Sequence, residues 1–100
     1  MIKCNVRKLH QYNRFKNVTL ELSPTKIVLY FSDQTFSILN HEVVSYKILG
    51  KNIYIELLGP KNNLNIVVTP YKKDQIHIIE HHIAKYFQEH IKMTTNPLFL

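Results

Sequence analysis

An α+β fold is expected of this chain: an antiparallel meander of six or seven strands, with one helix near the C-terminal end packed across the sheet. Three observations predict it. Between residues 2 and 68, short segments rich in β-branched and aromatic residues alternate or run apolar. Pro24, Ser32-Asp33-Gln34, Gly50-Lys51-Asn52 and Gly59-Pro60 separate them as turn signals. From residue 76 onward the apolar period changes from two to between three and four. The chain has 100 residues, enough for one domain with a single layer of core, read as residues 1–93 followed by a tail at 94–100.

The elements follow in order. Residues 2–9 and 17–22 are short extended segments; in VTLEL, Val18, Leu20 and Leu22 face one way and Thr19 and Glu21 the other. In KIVLYF (26–31), Ile27, Leu29 and Phe31 share one face and Val28 and Tyr30 the other, which predicts a central strand covered on both sides or half covered by a partner. Asp33 suits a tight connection, because its carboxylate can bond its own backbone two residues on. TFSIL (35–39) then returns antiparallel. EVVSYKIL (42–49), NIYIELL (52–58) and LNIVV (64–68) complete the strands. The helix is expected to start at Thr69-Pro70, with Thr as cap and Pro in the first turn. Ile76, Ile79, Ile83, Phe87 and Ile91 form its buried stripe over about four turns, while Ile78 and Tyr86 lie off the stripe's centre.

Composition narrows the function classes. Cys4 is the only cysteine, which excludes an internal disulfide and a multi-cysteine metal site and fits a reducing compartment. No apolar run of about 18 residues and no signal-peptide pattern occur, so a cytoplasmic location is expected. The net charge is +6, and Lys3, Arg7, Lys8, Arg14 and Lys16 gather near the N-terminus. Such a cluster fits a nucleic-acid or anionic-membrane footprint, but no RNP-like aromatic motif or Gly-rich anion loop accompanies it. A solvated basic edge is the expectation, with acidic protein partners favoured, no nucleic acid, and anionic lipid as the lesser alternative to no membrane.

Chemistry-bearing patterns are sparse. His77 and His81 stand four apart on the helix without a third ligand at a metal-site spacing, so no metal or other cofactor is expected. His81, His82 and His90 fall on helix positions read as solvated. Ser, His and Asp occur without a nucleophile elbow, phosphate loop or paired carboxylates, so no catalysis is expected of this chain.

LSPTKIVLYFSDQTFSIL (22–39) resembles the polo-box signature: a small turn, an apolar strand ended by an aromatic F-x-D, then a Thr-led strand. VVSYKI (43–48) is similar to the polo-box strand that carries a Ser/Thr-Tyr pair. The likeness is closest to the C-terminal single polo box of the centriole-duplication branch of the polo-like kinases, which also ends in a long helix and an NP-containing tail. It covers residues 22–48 well and the helix by pattern. The extra extended segment before the helix departs from the usual polo box and suits a pleckstrin-homology-like module, the alternative reading, which would bind phosphoinositide or peptide.

In phosphopeptide-binding polo boxes a His and a Lys after F-x-D grip the phosphate. Gln34 and Phe36 stand in those places here, so the resemblance implies phosphate-independent binding. It further implies a non-catalytic part of a centriolar Ser/Thr kinase, located at the centriole or centrosome, that docks a helical segment of a scaffold protein and self-associates as a homodimer. The partner-facing residues expected are Val28, Tyr30, Phe36, Ile78, His82 and Tyr86, lining a groove between the helix and the sheet.

Overall fold

A computed structural model describes residues 1–87. Seven strands precede one helix: β1 (Ile2–Lys8), β2 (Phe15–Leu22), β3 (Lys26–Tyr30), β4 (Thr35–Leu39), β5 (Val43–Leu49), β6 (Asn52–Leu57), β7 (Leu64–Pro70) and α1 (Gln75–Tyr86), with one 3-10 turn, Asn40–Glu42, before β5. The architecture is the expected α+β one, with seven strands. All pairings are antiparallel, in the order β4-β3-β2-β1-β7-β6-β5. Two hairpin-linked runs, β1 to β4 and β5 to β7, are therefore joined where β1 pairs with β7.

That pairing corrects the place of β3. The middle of the sheet belongs to β1, bonded to β2 on one side and β7 on the other, and β3 lies one strand from the edge. Two-sided apolar character does not distinguish the two positions, because Val28 is buried although β3 is not the middle strand. On β1 the inner-facing residues are Ile2, Cys4 and Val6, all buried, while Lys3, Asn5 and Arg7 point outward. A bulge between Cys4 and Val6 accommodates Asn17, which sits at φ 57°. Tyr71 braces it: the Asn17 N–H donates to the Tyr71 hydroxyl oxygen (2.8 Å), and that hydroxyl donates to Asn17 Oδ1 (2.9 Å). Asn is among the few residues that adopt this left-handed conformation readily.

The start of α1 also differs from expectation. Thr69 and Pro70 are the last residues of β7, paired with Asn5 and Cys4. The Thr69 hydroxyl donates to Asn52 Oδ1 (2.6 Å) instead of capping a helix. Four β-branched residues in a row, Ile66 to Thr69, favour the ladder, and proline's missing N–H is tolerated at a strand end. The helix then begins at Gln75, after a turn over residues 71–74. Ile91, His90 and the tail 94–100 lie outside the described residues.

The sheet curls around one core, and α1 adds Ile76, Ile79, Ile83 and Phe87 to it. Each fully buried side chain of this size stabilises the fold by about 1.5–3 kcal/mol relative to leaving it exposed. The charged and polar neighbours of α1 fix where it lies. His82 meets the backbone of Ser23, in the β2–β3 turn, and Glu80 lies close enough to Tyr46 of β5 to act on its hydroxyl. The helix thus closes the end of the curl where β1 begins and β7 finishes, and leaves the other end open.

Candidate functional site

The partner-facing residues expected from sequence do not form one groove. Val28 is buried, and Tyr30 is partly exposed beside it on the outer face, where its hydroxyl donates to Glu21 Oε1 (2.7 Å). That hydrogen bond is the main reason the Tyr30 hydroxyl titrates above its ordinary range, followed by burial and the Glu21 charge. Phe36 points to the inner face, since its cross-strand neighbour is Leu29 while that of Tyr30 is Thr35. The helix packs on this inner face, so the sheet itself separates α1 from Val28 and Tyr30. On α1, Ile78 is exposed, and His82 and Tyr86 form a ring pair with centroids 4.8 Å apart.

His82 is buried, not solvated as its position on the stripe's edge suggested. Its ring also meets Phe87 edge-on, at 5.7 Å between centroids. Burial lowers its pKa below the ordinary value; the Ser23 backbone opposes that shift, and His81 and Lys85 add to it. A helical wheel centred on Ile76, Ile79 and Ile83 places residue 82 at the rim of the stripe, where the rings of Tyr86 and Phe87 and the closeness of the β2–β3 turn cover it.

The apolar opening lies instead at the end of the curl that α1 leaves uncovered. There the end of β1, the start of β2, the end of β3, the start of β4 and the start of β7 surround a cleft of about 210 Å³. Phe15, Phe31, Phe36 and Leu64 line it, Gln34 sits at its wall, and Arg7 and Lys8 stand among the lining residues as its cations. Phe15 and Phe31 meet edge to face, 5.1 Å between centroids, a favoured aromatic geometry. Phe36 and Leu64 also line a second cleft of about 250 Å³, which continues past Ser37 and Ile38 to Leu57, Leu58 and Glu42. The two form one apolar groove along β4. Of its residues, Phe36 alone was anticipated as partner-facing. Phe15 falls in a stretch with no strand signal of its own, and its role follows from the β1 pairing Val6↔Phe15.

A second feature lies on the outer face. Arg7 and Arg14 line a cleft of about 460 Å³ with His10, Gln11 and Tyr12, and a smaller one of about 120 Å³ with Asn5, Asn52 and Thr69. Asn5 Oδ1 is buried there without a hydrogen-bond partner. Among the described residues the one contact of ion-pair geometry is His77–Glu80, at 3.7 Å and ionic only with His77 protonated, so neither guanidinium is neutralised by a carboxylate.

Cys4, at the centre of the sheet, donates its thiol to the Val18 carbonyl oxygen at 3.6 Å, and burial pushes its pKa up to about 12 against the lowering effect of Lys3. Thiolate chemistry is therefore suppressed at this position. Among the described residues no three His, Cys, Asp or Glu side chains gather as a metal site, and no helix is long and apolar enough to cross a membrane. Comparison with protein-family models, with curated proteins and with solved structures finds no match to this chain.

Proposed function

We propose that this chain is a non-catalytic protein-interaction domain that holds an apolar segment of a partner in the groove beside β4. The observation that carries this reading is the uncovered end of the curl: a single helix caps one end, and aromatic side chains stay accessible at the other, with Phe15 at 51% and Phe36 at 38% exposure. Rigid aromatic rings offer large contact area at low rotamer cost, as interface anchors do. Arg7 and Lys8 favour a partner with acidic residues next to its apolar ones. Gln34 and Phe36 line this same groove where phosphate-gripping polo boxes carry cations, which supports recognition independent of phosphorylation.

The polo-box likeness of residues 22–48 extends the proposal. By it, the chain is part of a centriolar Ser/Thr kinase, its partner is a segment of a centriole-assembly scaffold, and the domain self-associates as a homodimer. The test is a Phe36→Asp variant in a pulldown against centriolar scaffold segments. Loss of capture by at least about tenfold, with the circular dichroism spectrum retained, is the expected result. Equal capture by both proteins, or capture only of phosphorylated segments, rejects the reading.

A second reading rests on the outer face. Seven strands before the helix suit the pleckstrin-homology-like alternative, and Arg7 and Arg14 with the unpartnered Asn5 Oδ1 suit a phosphorylated headgroup that also carries hydroxyl donors. Binding to phosphoinositide vesicles that is lost in Arg7→Ala/Arg14→Ala, but not in Phe36→Asp, would favour it over the groove.

A further inference from the structure

We infer that the partner segment binds in extended form, as an additional strand on the free edge of β4; this deepens the interaction reading and rests on it. The register of the β3–β4 hairpin decides which groups are free. The Phe31 N–H donates to the Gln34 carbonyl (2.8 Å) and the Asn40 N–H to the Thr25 carbonyl (3.0 Å). Pairs of an antiparallel ladder alternate between bonded and non-bonded, so Leu29–Phe36 and Ile27–Ile38 are the bonded pairs between these ends. The main-chain N–H and C=O of Thr35 and Ser37 consequently point away from β3, to the open side. The Leu39 N–H, next in that row, is already taken by Glu42 Oε1 (2.8 Å), which sets the limit of the exposed ladder.

The two sheet edges differ in protection. On β5, a bulge between Val43 and Ser45 interrupts the ladder and Lys47 stands on the strand, both common ways to block further pairing. TFSIL has no bulge, proline, glycine or charge. Along its free side runs the apolar groove, whose two clefts meet at Phe36. Successive residues on one face of an added strand are about 6.8 Å apart, so apolar residues at i and i+2 enter the two clefts in turn. Main-chain bonds supply affinity and the clefts supply selectivity, as in strand addition generally.

Charge selects the occupant. At the Thr35 end the groove is lined by Arg7 and Lys8 and by no carboxylate, which favours a foreign segment with acidic residues there. A second copy of this chain would bring another net +6 and a β4 with no acidic residue to the same place.

A displayed library of random twelve-residue peptides, selected on the full chain and counter-selected on Phe36→Asp, tests this. The expected ligands carry apolar residues at i and i+2 beside Asp or Glu. Methylating their backbone nitrogens one at a time should weaken binding at least about tenfold at alternate positions only. Ser37→Pro, which removes an outward N–H that β3 does not use, should abolish binding, and Ser37→Ala should not. Should Ser37→Pro unfold, the methylation series still decides. Ligands with apolar spacing i, i+3/i+4 and indifferent to backbone methylation would overturn strand addition while leaving the groove as a binding site. Selection of no peptide on the unmodified chain over Phe36→Asp would overturn both. Sedimentation showing a dimer that Ser37→Pro dissociates would assign the edge to a second copy and reject the foreign segment.

Discussion

His82 shows how one residue can be misplaced by its neighbours in sequence. Flanked by His81 and Lys85 on a helix with a clear apolar stripe, it nevertheless lies under the β2–β3 turn, and its Nε2 is buried without a partner. An imidazole whose folded pKa is depressed has a definite effect on stability. As pH falls through the ordinary value of 6.5, the unfolded chain binds a proton that the folded chain resists, so stability is lost from there down towards the folded pKa. Above that ordinary value the penalty is absent. We expect the melting temperature to fall between pH 7 and about pH 5.5, with a shallower slope in His82→Gln, measured by thermal circular dichroism at fixed ionic strength. Equal slopes would show that other groups set the acid sensitivity.

At the scale of the element, α1 divides cleanly into an inner and an outer side. Phe87, at the helix end, is fully buried in the common core, whereas Tyr86 beside it is exposed at 36% and touches the His82 ring. Phe87→Ala therefore removes a large side chain from a packed site and should cost about 3–5 kcal/mol in a urea titration. Tyr86→Ala, and likewise Tyr30→Ala on the outer face of β3, should cost about 1 kcal/mol or less. The outcome that contradicts this division is a Tyr86 variant as unstable as the Phe87 variant. Val28 belongs with Phe87 in this respect. Although it faces outward, it is buried, so it contributes to packing and offers no surface to a partner.

For the molecule as a whole, the net charge of +6 acts on encounter more than on the fold. Arg7 and Lys8 at the groove, with Arg14 on the neighbouring loop, attract an acidic partner from a distance, and that attraction is screened within about 8–10 Å at ordinary salt. Raising ionic strength from about 50 to 500 mM should slow association with an acidic ligand by at least about tenfold and change its dissociation much less, as read by stopped-flow fluorescence. A salt-independent association rate would mean that the basic end takes no part in recognition.

Local chemistry in the sequence was sufficient for the α+β class, for a meander of six or seven strands, and for the inner stripe of α1. Each rests on periodicity and turn residues that act within a few positions, as in Ile53, Ile55 and Leu57 or Ile76, Ile79 and Ile83. What depends on contacts between distant segments was decided only by the tertiary structure. The pairing of β1 with β7 put the first strand in the middle, drew Thr69 and Pro70 into a ladder in place of a helix cap, and moved the start of α1 to Gln75. The β3–β4 register set Phe36 and Tyr30 on opposite faces, the β2–β3 turn came close enough to help cover His82, and the β1–β2 pairing with the curl of the sheet brought Phe15 across to Phe31 at the uncovered end. Strand alternation tells which residues share a face; it does not tell which face the single helix will cover, and that choice placed the groove.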